Sequence, residues 1–337
     1  MRCFNHTNHI MKKLLVLALV ALTGTGLAAD KKRVIVCTVT TGFRHSSIPI
    51  AEKTLEKLAK ESGVFEIVDF ARQPVANVPK KPGKPQDLKP DADDAAKAKY
   101  AEDLKKYEAE LAKWTTENGG KTNDTEAQMK ESMNKLSPQY LISHKIDAVI
   151  FANTTGDLPL PDRDGFIKWI EDGHGFCGMH SAGDTFHGFP GYLNMLQAEF
   201  KGHGRQVPAD LVAGDKTHPA NAAIGEAWPI ALEEMYEFKD GSHDRAKIHA
   251  LWFLRHHPQN PSQAGYFPVS WCRMEGKGRV FYTSLGHRED LWDDTDAVKD
   301  RKNSPEVSKQ FQAHILGGIK WALGLDKSIA TPNPEVK

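Results

Sequence analysis

The fold class is decided by the stretch RVIVCTVTTGFRHSS, which occupies residues 33–47. It opens with a continuous apolar, β-branched run from Arg33 to Val39, which is typical of a strand buried on both faces. A glycine turn follows, and Ser46 or Ser47 can cap a helix that runs from about Ile48 to Ser62. The stretch therefore predicts a buried strand, a tight turn and a helix in direct succession, which is the start of an α/β unit.

Alternating strands and helices continue through the first half of the chain. Further strands are predicted at Phe65–Phe70, Ile146–Ala152 and Gly175–Met179, and a helix at Asp162–Glu171 ends at Gly173. Such alternation favours parallel pairing, because each helix carries the chain back across the sheet. This half therefore predicts a doubly wound parallel sheet.

The second half is richer in strands than in helices. Its apolar runs predict strands at Ile230–Phe238, Ile248–Arg255, Phe267–Met274 and Arg279–Leu285. The glycines at 276 and 278 predict a hairpin between the last two strands. A closing helix is predicted at Val307–Leu323, with Gly324 at its end. We therefore expect the parallel core to be extended by antiparallel strands.

The segment from Pro79 to about Asp124 differs in composition from the rest of the chain. A spacer rich in Pro and Lys leads into a run rich in Ala, Lys and Glu, with i,i+4 charge pairs such as Glu102–Lys106. One sparse apolar stripe is formed by Tyr100, Leu104, Tyr107, Leu111 and Trp114. We interpret the segment as a charged, solvated helical insertion between the second and third strands. A lid or a partner-docking arm is the alternative.

Charge and composition narrow the class of protein. The chain contains 44 Lys+Arg and 44 Asp+Glu, and its first 28 residues carry Arg2, Lys12 and Lys13 but no acid. Without that segment the net charge is −3 with neutral histidines, which excludes a broadly basic nucleic-acid binder. A hydrophobic fraction of 40% with 26% charged residues is ordinary for a folded globular chain.

Residues 1–28 have the pattern of a cleavable export signal. A basic start at Lys12-Lys13 precedes the apolar core Leu14–Leu22, and Gly26-Leu27-Ala28 places small residues before a cut at Ala29. Met11 is the expected initiator, because the signal is complete from that residue. The predicted location is periplasmic or secreted, with no stable membrane insertion after cleavage, and an uncleaved anchor is the alternative. The predicted domain then spans 29–330, and a short tail follows at 331–337.

Three cysteines remain after the signal: Cys37, Cys177 and Cys272. An odd number excludes a complete intramolecular disulfide framework. Each lies in an apolar, strand-like run, so we expect buried thiols that behave as small apolar residues. A catalytic thiolate would instead need an electropositive, partly open position.

Polar side chains collect just after the predicted strands, where doubly wound sheets bind their ligands. Three of four strand ends carry a histidine, which core packing does not generally require, so we expect a common polar cleft. The catalytic candidates are His45, His180, Asp184 and His287. The substrate-binding candidates are Phe43, Arg44, Asn153, Thr154, Ser181, His187, Glu234, Tyr236 and Glu289.

The run Gly178-Met179-His180-Ser181-Ala182 has the shape of a strand–turn–helix elbow. Its central residue, His180, can act as a general acid or base or ligate a metal, and Asp184 could orient it. Ser181 is offset by one position from the place of an elbow nucleophile. On a later strand, Glu234 and Tyr236 share one face by period two and could point into the same cleft. An edge strand with outward polar groups is the alternative there.

The sequence contains no cofactor motif with diagnostic spacing. Neither HExxH nor paired CxxC is present, and no GxGxxG follows the first strand. The histidines at 45, 180 and 287 could hold a divalent metal ion, although their spacing in the sequence does not show it. A divalent ion is therefore the one cofactor that the residues leave open.

Together these segments resemble the trehalose-utilisation, or ThuA-like, family of the class I glutamine-amidotransferase-like superfamily. The resemblance covers nearly all of 33–325 except the insertion. It rests on TGFRHSS (41–47), FANTTGD (151–157), GFCGMHSAGDTF (175–186), EFKGHG (199–204), HP (218–219), EEMYEF (233–238) and GRVFYTSLGH (278–287).

The resemblance implies a three-layer, flavodoxin-like α/β fold with a mostly parallel, doubly wound sheet. It also implies that glutaminase activity is absent, because His180 stands at the elbow where the superfamily has its Cys nucleophile, and Cys177 lies three residues earlier. It further points to carbohydrate metabolism, in which such proteins accompany sugar dehydrogenases that act on disaccharides.

The function favoured by these observations is that of an exported hydrolase or lyase acting on a disaccharide or a keto-glycoside. A 3-keto group acidifies the proton at C2 of a sugar, and His180 assisted by Asp184 could remove it. Arg44, His45, His287 or a divalent ion could then stabilise the enolate oxygen. The expected partner is a small carbohydrate and not a nucleic acid, and the chain could form a homo-oligomer.

Two other functions remain open. A non-catalytic carbohydrate-binding or sensing module could stack sugar rings on aromatic side chains, for which the candidates are Phe43, Phe186, Tyr236 and Trp292. An amidase or peptidase could use Ser181 or Cys177 as its nucleophile.

Overall fold

The computed structural model describes residues 1, 30–74, 79, 81–89, 92–118 and 125–336. Apart from residue 1, the predicted signal at 1–28 lies outside the described residues, and the predicted insertion at 79–124 is described in part. Among the helices described, none combines the length and the apolarity that crossing a bilayer would require.

Eleven strands are found in the described residues, and they form one large and one small sheet. The strands are β1 (Lys32–Cys37), β2 (Phe65–Ala71), β3 (Ala148–Ala152), β4 (Gly175–Met179), β5 (Phe200–His203), β6 (Val207–Ala213), β7 (Ala227–Glu233), β8 (Tyr236–Phe238), β9 (His249–His257), β10 (Asn260–Glu275) and β11 (Gly278–Thr283). The large sheet has the order β2-β1-β3-β4-β11-β10-β9-β6-β7, and β5 pairs with β8 in the small sheet.

The first five strands of the large sheet pair in parallel, as the alternating sequence predicts. In β1, Val34 and Val36 pack on one face of the sheet, whereas Ile35 and Cys37 pack on the other. Both faces are therefore apolar and must be covered by other elements.

Helices supply that cover. The helices are α1 (Ile48–Ser62), α2 (Asp94–Asn118), α3 (Thr125–Asn134), α4 (Pro138–Ser143), α5 (Arg163–Glu171), α6 (Pro190–Leu196), α7 (Glu289–Trp292) and α8 (Pro305–Ala322). Helices α1 and α8 pack on one face of the sheet, and α3 to α6 pack on the other. This three-layer arrangement confirms the predicted flavodoxin-like α/β fold.

Four antiparallel strands extend the parallel half: β10, β9, β6 and β7. The antiparallel extension was predicted, but the sequence analysis contains no strand at the position of β6. The hairpin between β10 and β11 turns at Gly276, whose φ is +58°. A Cβ atom there would lie 2.7 Å from the carbonyl oxygen of Glu171. Glycine is therefore required by backbone conformation and by close approach together.

The prediction of one strand at Ile230–Phe238 is wrong. Strand β7 ends at Glu233 and pairs with β6, whereas β8 starts at Tyr236 and pairs with β5 in the small sheet. Glu234 and Met235 belong to neither strand. At this break the carboxylate of Glu233 is buried and accepts hydrogen bonds from the backbone of residues 286–288.

Helix α2 forms the described core of the predicted insertion, and its apolar stripe faces the Pro/Lys spacer that precedes it. The indole Nε1 of Trp114 donates to the carbonyl of Pro79 at 2.8 Å, and the hydroxyl of Tyr100 donates to Asp87 at 3.0 Å. The stripe residues are half-buried and the rest of the helix is mostly exposed. The helix is thus solvated on its charged sides, as the composition predicts.

The described part of the predicted tail, residues 331–336, packs on β9. The side chain of Asn333 donates to the carbonyl of Ala250 at 3.1 Å and accepts from its backbone N–H at 2.7 Å. Nδ1 of His249 donates to the carbonyl of Thr331 at 2.7 Å. The end of the chain is therefore hydrogen-bonded to the first residues of β9.

Candidate functional site

The predicted elbow is present at the end of β4. The chain passes from Met179, in extended conformation, directly into a 3₁₀ helix at His180–Asp184. His180 has a φ of +48°, which is uncommon for a residue with a side chain and is found mostly at turns and functional sites. Its side chain is fully buried and lies at the carboxyl edge of the parallel strands.

Hydrogen bonds fix the tautomer of His180. Its Nδ1 lies 2.8 Å from the carbonyl oxygen of Ser284, which can only accept, so Nδ1 carries the proton. The lone pair therefore sits on Nε2. That nitrogen lies 3.2 Å from Nε2 of His45 and 3.1 Å from the hydroxyl of Tyr236. A histidine oriented in this way by a carbonyl is typical of metal ligands.

Glu234 and His287 complete a four-residue cluster with His45 and His180. Oε2 of Glu234 lies 3.6 Å from Nε2 of His180 and 3.3 Å from Nδ1 of His287. Nδ1 of His287 is buried and has no hydrogen-bond partner of standard geometry. One nitrogen or oxygen atom from each of the four residues lies within 4.8 Å of the others.

These separations fit a bound divalent ion. Ligand atoms around a tetrahedral zinc, with bonds of about 2.0–2.1 Å, lie roughly 3.3 Å apart. Three of the six separations within the cluster are 3.2, 3.3 and 3.6 Å, and all six are within 4.8 Å. Three imidazoles with one carboxylate are also a donor set that zinc and similar transition metals accept. The unpartnered nitrogen of His287 is then explained as a metal ligand.

The protonation of two of the three imidazoles, those of His45 and His180, is suited to a cation. Burial, reinforced by the neighbouring His287, lowers the pKa of His45 to about 4. Burial and the imidazole of His45 hold the pKa of His180 well below its ordinary value. Both rings are therefore neutral near pH 7, which is the form that binds a metal. At His287, burial lowers the pKa, but the carboxylates of Glu234 and Glu233 outweigh it and raise the pKa above its usual value.

Two residues outside the predicted set hold the cluster in place. His203 lies with Nδ1 3.2 Å from Oε1 of Glu234, the carboxylate oxygen that does not face His180. The buried carboxylate of Glu233 accepts the backbone N–H groups of Gly286, His287 and Arg288. Sequence reasoning missed both roles, because they depend on which strand ends meet in space.

Other predicted residues contact the cluster or shape its walls. Oγ of Ser181 lies 3.3 Å from Nδ1 of His45, and the ring of Phe43 packs edge-on against His45. Asn153 donates to Oγ of Ser47 and to the carbonyl of Gly286, at 2.9 Å each. Asn153 therefore fastens two loops of the site to each other.

The structure does not bring the remaining predicted residues to the cluster. Asp184 is hydrogen-bonded to His187 at 2.7 Å, and neither ring nitrogen of His180 contacts it. The other four residues have partners outside the cluster: His187 contacts Glu199, Thr154 contacts Thr185, Arg44 donates to the carbonyl of Thr38, and Glu289 accepts from Ser46. These side chains surround the cluster at a distance or support the loops that carry it.

Most of the aromatic candidates cannot stack on a sugar. Phe186 and Trp292 are fully buried in the two hydrophobic cores, so the expectation that they could stack is wrong. Tyr236 is buried with its hydroxyl on His180. Phe43 remains, with an exposed ring.

The three described cysteines are buried and unpaired, as predicted. Burial raises the pKa of the Cys37 thiol to about 12 and also raises that of Cys177. Such thiols are protonated near pH 7 and are poor nucleophiles. The geometry therefore does not favour the thiol alternative.

Fold and site together define a flavodoxin-like α/β protein with a buried cluster of three histidines and one glutamate. The family model ThuA, described as "Trehalose utilisation", matches residues 33–322. The chain belongs to this family, which connects it with carbohydrate metabolism and confirms the resemblance found in the sequence. Among proteins of curated function, none matches the sequence significantly.

Solved structures show the same fold. A ThuA-like protein from Parabacteroides merdae is 16% identical, with a TM-score of 0.55, over 91% of this chain and 99% of the other. A ThuA-like protein from Bacteroides uniformis is 15% identical, with a TM-score of 0.53, over 92% of this chain and 97% of the other. At such identities the similarity concerns the fold alone.

Proposed function

We propose that this protein is an exported, metal-dependent enzyme that acts on a disaccharide or a keto-glycoside as a hydrolase or lyase. The observation that carries the proposal is the cluster of His45, His180, Glu234 and His287, whose atoms converge at the carboxyl edge of the sheet. Membership of the trehalose-utilisation family supports a sugar as the substrate. Doubly wound sheets bind their ligands at this same edge.

The substrate must approach the cluster from one side. His180 is fully buried and the side chain of Glu234 is 8% exposed, whereas those of His287 and His203 are 23% and 41% exposed. A sugar therefore meets the rim formed by His203 and His287 before it meets His180. This arrangement favours His180 as a ligand and not as the base that touches the substrate.

The chemistry would be an elimination on a 3-keto-glycoside. A base takes the proton at C2, the electron pair forms a C1–C2 double bond, and the glycosidic C1–O bond breaks as the leaving alcohol takes up a proton. A divalent ion bound by the cluster would act as a Lewis acid and stabilise negative charge on the keto oxygen. The protein's own part is to orient the ring and to move the proton.

His203 is placed to move that proton. Its Nδ1 lies 2.8 Å from the carbonyl of Gly204 and 3.2 Å from Oε1 of Glu234, so the proton resides on Nδ1. Its other nitrogen, Nε2, has no hydrogen bond within the described part of the chain. A half-exposed imidazole oriented by a carboxylate is a common general base.

A non-catalytic sugar-binding or sensing module is the second candidate. It is favoured by the elbow, where His180 occupies the position at which a nucleophile would stand, and by the complete burial of the thiols. Such a module would bind the sugar with the same rim and release it unchanged.

Metal analysis combined with turnover tests the proposal. We expect about one divalent ion per chain in the purified protein, lost in His180→Ala and in Glu234→Ala but kept in the exposed control His256→Ala. Turnover of 3-keto-trehalose should be lost in the variants that lose the ion and kept in the control. A His180→Ala protein that keeps both ion and turnover would contradict the proposal, whereas sugar binding without turnover would support the second candidate.

Export is tested separately. The signal at 1–28 is supported by its sequence pattern alone. In a bacterial host we expect the mature protein in the periplasm or the medium with Ala29 as its first residue. An N-terminal sequence that still contains Leu14–Leu22 would favour the uncleaved anchor instead.

A further inference from the structure

Phe43 presents a large apolar side chain to the solvent. Its side chain is 67% exposed, and it is the one exposed Phe, Tyr or Trp among the described residues. A single exposed apolar side chain is common on protein surfaces, so its meaning depends on what lies beside it. The question is therefore what covers this ring when the protein works.

Hydrogen bonds hold the backbone of the loop that carries Phe43. The hydroxyl of Thr155 donates to the carbonyl of Phe43 at 2.8 Å, and the backbone N–H of Thr41 donates to the carbonyl of Thr155 at 2.9 Å. Gly156 allows this close approach, because a Cβ there would lie 2.7 Å from the backbone nitrogen of Gly42. These contacts fix the position of the Phe43 backbone beside the candidate site.

The ring also borders the metal-type cluster. Its centroid lies 4.9 Å from that of His45, with the two planes at 80°. Nε2 of His45 in turn lies 3.2 Å from Nε2 of His180. A molecule lying on the face of Phe43 would therefore extend toward the four candidate ligands.

We propose that Phe43 is the stacking platform for the apolar face of a pyranose ring, and that it selects cyclic sugars over open-chain polyols. The proposal rests on the proposed function, since it takes the substrate to be a sugar. A pyranose presents several C–H bonds on one flat face, and an aromatic ring covers that face well. An open-chain polyol has the same hydroxyl groups but no such face. Phe43 thus determines specificity, while the cluster performs the chemistry.

Binding measurements on four variants test the platform. The probes are trehalose, 3-keto-trehalose and sorbitol, titrated calorimetrically into wild type, Phe43→Ala, Phe43→Leu and Phe43→Trp. We expect the affinity for both disaccharides to fall about tenfold in the Ala and Leu variants and to stay within about twofold in Trp. Ile142→Ala removes another exposed apolar side chain and serves as the matched control. Metal content should be the same in all of these proteins.

Saturation-transfer NMR gives a second readout that does not depend on turnover. The ring C–H protons of trehalose should receive strong saturation from wild type and much less from Phe43→Ala. Unchanged affinity and saturation in Phe43→Ala, with trehalose bound, would overturn the platform. The proposed function could fail while the platform holds. The protein would then bind trehalose, and Phe43→Ala would weaken that binding, but the purified protein would contain no ion. A wild-type protein that binds neither disaccharide would overturn both.

Discussion

Glu233 holds the backbone of His287. Oε1 of Glu233 accepts the N–H of His287 at 2.7 Å and that of Gly286 at 3.0 Å, while Oε2 accepts from Arg288 at 3.3 Å. Because Glu234 follows directly in the chain, the same contact brings two candidate metal ligands together. We therefore infer that Glu233 is a positioning residue for His287 and Glu234.

Replacing this carboxylate should loosen the cluster. In Glu233→Gln an NH₂ group replaces one acceptor and faces a backbone N–H, which costs about 1–3 kcal/mol for an unsatisfied buried group. We expect a lower melting temperature and an affinity for Zn²⁺ reduced about tenfold, measured by competition with a chromophoric chelator. Glu226→Gln, at an exposed surface carboxylate, should change neither. Wild-type zinc affinity in Glu233→Gln would contradict the positioning role.

Asn153 should be needed both for its amide and for its backbone conformation. Its φ is +55°, and its Nδ2 donates to Ser47 and Gly286. We expect Asn153→Ala to lose about 2–4 kcal/mol in the free energy of unfolding, because two buried bonds disappear and alanine is strained at this φ. Asn153→Gly relieves the strain alone and should be milder by about 1 kcal/mol. Equal unfolding energies for both variants in urea would show that backbone strain plays no part.

The stability of the fold should fall in mild acid. Burial lowers the pKa of His314 to about 3, and its Nδ1 donates to the carbonyl of Ala220. The unfolded chain takes up the proton near pH 6.5, so the contribution is complete above that pH and is lost as the pH falls toward 3. For this one group, we expect a loss of about 2 kcal/mol between pH 7.5 and 5.

The variant His314→Gln isolates this contribution. Its melting temperature should depend less steeply on pH than that of wild type, although its stability at pH 7.5 is lower. His218, whose pKa burial lowers to about 4, keeps part of the slope in the variant. Parallel pH profiles for the two proteins would exclude His314 as the source.

The three thiols should be inert in the folded protein. Cys37, Cys177 and Cys272 are buried, and burial raises the pKa of each thiol. For a protein that begins at residue 29, we expect no reaction of the native state with a disulfide reagent over minutes, and three labelled thiols after unfolding. Rapid labelling of Cys177 in the native state would restore the thiol-nucleophile hypothesis.

Local patterns were sufficient for the five parallel strands and for the edge of the sheet at which the histidines lie, but they did not predict β5, β6 or the helices α3, α4, α6 and α7. The β-branched run at 33–39 identifies a strand with two buried faces, because the alternation of side chains is a property of the strand itself. The histidines at 45, 180 and 287 could be assigned to one edge, since parallel strands end on the same side. The contacts made at the break after Glu233 could not be predicted, because they involve residues 286–288, which are distant in the sequence.

The sequence by itself determined the α/β class, the strand-end position of the histidines and the family. Only the tertiary structure decided which groups meet: His180 turns to the carbonyl of Ser284 and not to Asp184, and Glu234 joins the cluster. It also decided that Phe43 is exposed while Phe186 and Trp292 are buried. The physical reason is that periodicity and turn chemistry act over a few residues, whereas burial and hydrogen-bond partners depend on segments distant in the chain.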